Sequence, residues 1–238
     1  NVNNVKRVRL RNFIAASIFL SSILLFQCGS PSETATYHYE QGQIQLHQGN
    51  HLRAAQEYKR AVAIDPEYAK AHAKLGLCHA LRLQPGKALA PIRKAISLEP
   101  NNGIFYMHLG KVHMLLTDYD KAEEAYLQSI ELGLKRAKPY FDLGVISERR
   151  NLIDKAQNYY EKSIQIVPNF GSSYYRLGLI AEKRGNILRA IQFYNTALKL
   201  TPNHESVHYR LAQLYLQQGR TKQAEHHLLE FQQLKSQG

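Results

Sequence analysis

The side chains in this sequence that could bind a metal ion are its eleven histidines and two cysteines. His204 and His208 are four residues apart, and His226 and His227 follow them. A zinc site needs three or four such ligands, and no acidic or cysteine cluster completes this set. The sequence therefore predicts neither a metal site nor a bound cofactor.

Motifs typical of catalysis are missing from the sequence. It has no glycine-rich loop that could hold a phosphate and no nucleophile elbow. Glu123 and Glu124 are adjacent on a predicted helix, where a solvated outer face explains them. Cys78 falls within another predicted helix, and we expect it to be a small buried hydrophobic residue. We therefore expect that the protein is not an enzyme.

The N-terminal segment, residues 1–28, has the pattern of an export signal. A basic stretch, Lys6 to Arg11, is followed by an apolar run of 14 residues from Phe13 to Phe26. A membrane-spanning helix needs about 20 apolar residues, whereas a secretory signal has an apolar core of about 7–15 residues. We interpret this segment as a signal sequence or short anchor, and the small polar residues 29–34 as a tether.

The end of this segment, from Leu25 to Cys28, resembles a bacterial lipoprotein signal. In that family the cysteine becomes the lipid-modified N-terminus, which implies lipidation of Cys28. Leu25 matches the family pattern, whereas Phe26 and Gln27 replace the small residues usual there. The alternatives are an uncleaved anchor or an ordinary cleaved signal. Because no acidic residue follows Cys28 directly, the resemblance implies an outer-membrane lipoprotein that faces the periplasm.

The rest of the chain, from residue 35 onward, repeats with a fixed period. This period equals the spacing in sequence between Gly42 and Gly76. A small residue recurs at the eighth position of each repeat: Gly42, Gly76, Gly110, Gly144, Gly178 and Ala212. Twelve residues later comes an alanine, and four residues after that a large apolar residue: Tyr58, Ile92, Tyr126, Tyr160, Tyr194 and Leu228. Small residues let two antiparallel helices approach closely, and the large residue fills the space beside them. The pattern therefore predicts pairs of packed helices.

Turn residues separate these predicted helices. Prolines close four repeats, at positions 66, 100, 168 and 202, because proline cannot continue a helix interior. Gly49, Gly185 and Gly219 mark turns within pairs, and Gly133 replaces the proline that the third repeat lacks. No single pair can bury its apolar face, so neighbouring pairs must stack.

The small residue, the alanine, the aromatic residue and the proline at these spacings resemble the tetratricopeptide repeat, whose period is about 34 residues. The resemblance implies an all-α, right-handed superhelical solenoid of six repeats and twelve helices. The repeats are 35–68, 69–102, 103–136, 137–170, 171–204 and 205–238. In this family the first helices line a concave surface that binds a protein or peptide.

The family pattern places a partner-binding groove on the first helices, at repeat positions 2, 5, 6 and 9. The candidate groove residues are Tyr39, Lys70, Lys74, Met107, His108, Lys111, Lys138, Phe141, Tyr175, Arg176, Tyr209 and Arg210. Aromatic residues and arginine often dominate interface energies, and this mostly cationic set would suit an acidic partner. The alternative is that the aromatic row packs inside the protein and the charges are merely solvated.

The layout of anchor and six repeats resembles the pilot lipoproteins of type IV pili, which help an outer-membrane secretin to assemble. We therefore expect a membrane-tethered scaffold for protein–protein interaction in a cell-envelope complex. Another role in outer-membrane protein assembly or secretion is the alternative. The net charge of +12 also leaves open a nucleic-acid-binding array, but the predicted export and the acids at positions 40, 142, 148 and 182 argue against it.

Overall fold

The computed structural model describes residues 34–237, and in this part of the chain every regular element is an α-helix. The helices in chain order are α1 (Ala35–His47), α2 (His51–Ile64), α3 (Ala69–Leu81), α4 (Pro85–Leu98), α5 (Gly103–Leu115), α6 (Tyr119–Glu131), α7 (Ala137–Arg149), α8 (Ile153–Ile166), α9 (Gly171–Lys183), α10 (Ile187–Leu200), α11 (Glu205–Gln217) and α12 (Thr221–Gln237). The six odd-numbered helices begin at a constant spacing, which is the repeat period of the sequence. The prediction of an all-α array of twelve helices is confirmed.

The described chain divides into two compact units between Pro100 and Asn101. Unit 1 contains α1–α4, and unit 2 contains α5–α12. The predicted signal or anchor (residues 1–28), with its lipidation site Cys28, and tether residues 29–33 lie outside the described residues. Among the helices that the structure describes, none is long and apolar enough to cross a membrane.

The first five helix pairs are each built around a glycine of the first helix that faces a large side chain of the second. A Cβ atom added to Gly42 would lie 2.6 Å from Tyr58 Cε1, and one added to Gly110 would lie 2.7 Å from Tyr126 Cε1. Both tyrosines are buried. The predicted close approach is therefore a contact between a glycine backbone and a tyrosine ring.

The turns inside the helix pairs all contain one residue with positive φ. Gly49, Gly185 and Gly219 adopt φ values of 71–76°, which is the conformation that glycine tolerates best. The three equivalent residues, Leu83, Thr117 and Asn151, have φ values of 54–58° although they carry side chains. These three turns lack the glycine that marks the others in the sequence. Their positions follow from Gly49 by counting whole repeat periods.

The close packing of Gly110 predicts a large asymmetry between two glycine-to-alanine substitutions. Gly110→Ala should lower the free energy of unfolding by about 1–3 kcal/mol, because the buried Tyr126 ring has no room to move. Gly86→Ala, near the start of α4 with no atom within 4 Å of the added Cβ, should raise it by up to about 1 kcal/mol. Urea unfolding measures both values. Equal effects of the two changes would contradict the proposed contact.

The left-handed conformation of Leu83 predicts a stabilising substitution. The Leu83 side chain is 74% exposed, so its loss removes little packing. Leu83→Gly should raise the free energy of unfolding by about 0.5–1 kcal/mol, because relief of the strained backbone outweighs the greater flexibility of glycine in the unfolded chain. Gly185→Ala is the matched reverse change and should be destabilising by thermal unfolding. The idea fails if Leu83→Gly lowers the melting temperature.

Candidate functional site: the first-helix face

Nine of the predicted groove residues lie on α5, α7, α9 and α11 of unit 2, and we call this set the first-helix face. It comprises Met107, His108, Lys111, Lys138, Phe141, Tyr175, Arg176, Tyr209 and Arg210. Tyr209 and Lys138 are exposed, the two arginines are half-buried, and His108 is buried. The other three predicted residues, Tyr39, Lys70 and Lys74, lie on α1 and α3 of unit 1.

The aromatic side chains of this face also contribute to internal packing. The centroid of the Phe141 ring lies 5.5 Å from that of Tyr160. The Tyr175 ring lies 6.1 Å from Tyr194 and 4.7 Å from His204. Phe141 and Tyr175 remain half-buried rather than fully buried. These rings therefore pack against the second helices and keep part of their surface accessible, and the partner-binding groove stays a prediction.

Unit 1 repeats the same ring arrangement around Tyr39. Its ring lies 5.6 Å from Tyr58 of α2 and 5.0 Å from Tyr68, which precedes α3. Lys70 is exposed and Lys74 is half-buried on α3. Burial raises the pKa of Tyr39, although a hydrogen bond with Gln43 opposes the shift, so its hydroxyl stays protonated at neutral pH.

The two arginines of the face are held by glutamates whose pairing with them is not evident from the sequence. The Tyr160 hydroxyl donates a hydrogen bond of 2.6 Å to Glu148, and Arg176 Nη1 donates to the same carboxylate oxygen at 3.2 Å. One repeat later, Tyr194 and Arg210 donate to the two different carboxylate oxygens of Glu182, at 2.6 and 3.1 Å. Each arginine is thus oriented and partly neutralised before any partner arrives. Burial, and then the neighbouring glutamate, raise the pKa of both tyrosines.

A different charge arrangement occurs between α5 and α7. The buried carboxylate of Asp142 accepts a hydrogen bond from Lys138. Burial, and then the charge of Lys138, lower the pKa of the half-buried Lys111, while Asp142 opposes this shift. The carboxylate of Asp142 is thus paired with Lys138, whereas Lys111 is half-buried within range of both charges.

Cys78 and the histidines do not form a metal site in the part of the chain that the structure describes. Residues 34–237 contain no group of three or more histidine, cysteine or acidic side chains that could hold a metal ion. Cys78 is buried, and burial raises its pKa to about 11, so the thiol is protonated at neutral pH.

His208 and His227 instead form a hydrogen-bonded pair in the last repeat. His208 Nε2 lies 3.0 Å from the carbonyl oxygen of Pro202, so this nitrogen carries the proton and donates. His208 Nδ1 must then accept from His227 Nδ1, which is 3.0 Å away. The His227 ring also stacks on Tyr215 at 5.7 Å. Burial, followed by the charges of His208 and His226, lowers the pKa of His227 to about 4, and Glu230 opposes this shift.

The low pKa of His227 predicts that part of the stability is lost in acid. The unfolded imidazole takes up its proton near pH 6.5, whereas the folded one does so near pH 4. This contribution is therefore complete above pH 6.5 and lost as the pH falls from 6.5 towards 4. Urea unfolding at several pH values in this range should show a steeper decline for wild type than for His227→Phe. His226→Phe, at the exposed neighbour, removes one of the charges that lower the pKa of His227 and should give an intermediate decline. Identical slopes for all three proteins would contradict the prediction.

Three family descriptions match parts of the chain. Residues 42–81 match a family described as TPR repeat, and residues 105–132 match one described as tetratricopeptide repeat. Residues 149–231 match the family of subunit 3 of the anaphase-promoting complex, or cyclosome. A comparison with curated protein sequences finds no match.

Solved structures with a similar fold include PilF of Pseudomonas aeruginosa, with a TM-score of 0.75 and 21% identity over 87% of this chain and 99% of PilF. PilW, described as a widely conserved type IV pilus biogenesis factor, has a TM-score of 0.72 and 13% identity over 83% of this chain and 92% of PilW. A chain in the structure of the Cut9–Hcn1 hetero-tetramer of the APC/C has a TM-score of 0.76 and 21% identity. This match covers 93% of the present chain but 43% of the matched chain. At these identities the likeness shows the fold. Together with the repeat matches at residues 42–81 and 105–132, it shows that this chain contains tetratricopeptide repeats and has the fold of a tetratricopeptide-repeat array.

Proposed function

We propose that this chain is a membrane-tethered scaffold that holds a protein partner during assembly of a cell-envelope complex, with type IV pilus and secretin biogenesis as the leading candidate. Tetratricopeptide repeats generally serve as non-catalytic scaffolds that bind proteins or peptides. PilW is described as a type IV pilus biogenesis factor, and the match with PilF covers nearly the whole length of PilF. A role in outer-membrane protein assembly or another secretion system is the alternative.

The proposed tether is Cys28, lipidated after removal of the preceding signal. It would place the repeats at the outer membrane, facing the periplasm, where envelope complexes are assembled. The proposal rests on the basic start, the apolar run from Phe13 to Phe26 and the cysteine that follows it. Incorporation of radiolabelled palmitate into wild type but not into Cys28→Ala would support it, and equal labelling of both proteins would contradict it.

The observation that carries the proposed binding mode is the cluster of Lys111, Lys138 and Asp142 on the first-helix face. Lys111 is half-buried, and burial followed by the charge of Lys138 lowers its pKa although Asp142 opposes this shift. An acidic side chain of a partner would supply a further negative charge at this position. The half-buried rings of Phe141 and Tyr175 offer apolar contact beside it. We therefore propose an extended or helical partner segment with acidic groups.

Lys111→Gln should separate partner binding from folding stability. Removal of the half-buried Lys111 ammonium group, whose pKa is lowered by burial and by the charge of Lys138, should leave the free energy of unfolding unchanged or slightly raised. The same change should reduce partner capture about fivefold, which corresponds to about 1 kcal/mol. The measurement is affinity capture from detergent-solubilised envelopes with the whole chain as bait, quantified by mass spectrometry.

Lys199→Gln, on the exposed surface of α10, is the matched control because it removes the same charge outside the face. A secretin or pilus component that the wild type and the control retain, and that Lys111→Gln loses, would support both the face and the pilus role. Retention of a different envelope component in the same pattern would support the face and favour the alternative role. Capture that is equal for all three proteins would overturn the binding mode.

A further inference from the structure

A second cationic position lies in unit 2, at the junction of α8, α9 and α10. A cavity of about 200 Å³ opens there. Its lining includes Gln157, Leu177, Arg184, Asn186, Arg189 and Phe193. These residues are distinct from the first-helix face, so the cavity is a separate feature of the molecule.

The two arginines of this cavity have weak ionic partners. Arg184 donates 2.6 Å to the neutral side-chain oxygen of Gln157, and its ion pair is with Asp154, whose side chain is 98% exposed. Arg189 Nη2 lies 3.9 Å from Glu161, at the outer limit of an ion pair. Exposed or long ion pairs contribute little in water. The guanidinium groups therefore retain much of their capacity to bind another anion.

The preceding repeat shows which group such a position favours. In the preceding repeat, the equivalent of Arg184 is Arg150, that of Arg189 is Lys155, and that of Gln157 is Glu123. In that repeat Arg150 and Lys155 both donate to the Glu123 carboxylate, and Lys155 does so at 2.8 Å. Although burial raises the pKa of Glu123, the hydrogen bonds from Lys155 and Arg150 lower it overall. A carboxylate between two cations is thus the arrangement that this fold stabilises.

The next repeat keeps both cations and lacks the carboxylate, because Gln157 replaces the glutamate. The Gln157 amide accepts from Arg184 and donates 2.7 Å to Glu161. Its neutral oxygen offsets neither charge, and the acids of this repeat pair with the arginines only at an exposed position, Asp154, or at 3.9 Å, where Glu161 replaces Leu127 of the preceding repeat. The neighbouring Phe193 ring lies 5.4 Å from the Arg189 guanidinium and gives the cavity one apolar wall.

We propose that this cavity binds one Asp or Glu side chain of an acidic protein segment, with its carboxylate between Arg184 and Arg189. The planar guanidinium group suits a carboxylate because it can donate two parallel hydrogen bonds. The methylene groups of the bound side chain contact Phe193. A partner held at the first-helix face thereby gains a second anchoring point on another surface, although the site does not depend on that face.

The test is a titration of the whole isotope-labelled chain, in mild detergent, with a hexaglutamate peptide. The arginine Nε–Hε signals are followed by NMR and assigned with single arginine-to-lysine variants. The signals of Arg184 and Arg189 should shift and saturate with hexaglutamate, and they should not move with hexaglutamine. Gln157→Glu places a carboxylate of the chain itself in the cavity and should weaken this binding at least tenfold.

The control is Gln165→Glu, which adds the same charge at an exposed position of α8 and should bind as wild type does. Unchanged binding by Gln157→Glu, or no response at Arg184 and Arg189, overturns the proposal. If hexaglutamate shifts only the signals of Arg176 and Arg210, the proposal is also overturned. That result would still support binding at the first-helix face. A separate titration uses inorganic phosphate. If phosphate binds as tightly as the peptide does, the assignment of the cavity to a carboxylate is overturned.

Discussion

The contact between a tyrosine ring and a glycine backbone sets the distance between the two helices of most pairs. At Gly110 an added methyl group would already meet the Tyr126 ring at 2.7 Å, and both residues are buried. Because the ring cannot move, the helices are held in one arrangement. The same combination of glycine and tyrosine occurs in four of the six pairs, so the geometry recurs along each unit.

The tyrosines also connect this packing to the charges of the first-helix face. The hydroxyl of Tyr160 reaches Glu148, and Glu148 in turn orients Arg176 of the next repeat. A single side chain therefore fills the core through its ring and positions a surface charge through its hydroxyl. The third repeat has Met114 at the glutamate position and Asp142 at the following arginine position. Asp142 accepts a hydrogen bond from Lys138 there, so the α5–α7 part of the face has a lysine–aspartate pair in place of the arginine–glutamate pair.

Most of the fold could be predicted because small residues, alanines and prolines recur at one fixed period. The turns at Leu83 and Thr117 could not be identified from residue type, because the surrounding helices impose a left-handed conformation that these two residues do not prefer. The exposure of the candidate face was harder to predict, because equivalent positions carry side chains of different length. His108 shares the repeat position of Arg176 but is buried, since its shorter side chain cannot extend to water as an arginine can. The ion pairs of Arg176 and Arg210 could not be predicted, because the sequence does not show which glutamate lies beside each arginine.

The repetition has a further consequence for how binding sites can be recognised. Because the tyrosine–glycine contact gives neighbouring pairs the same geometry, side chains one repeat period apart occupy equivalent places, and one repeat serves as a reference for the next. Glu123 shows where a carboxylate is stable, and Gln157 marks the place where this group is missing although both cations are kept. A position that departs from the pattern while its surroundings retain it can lack the direct pairing that the neighbouring repeat has. In a repeat scaffold, such positions are where a partner can contribute the most binding free energy.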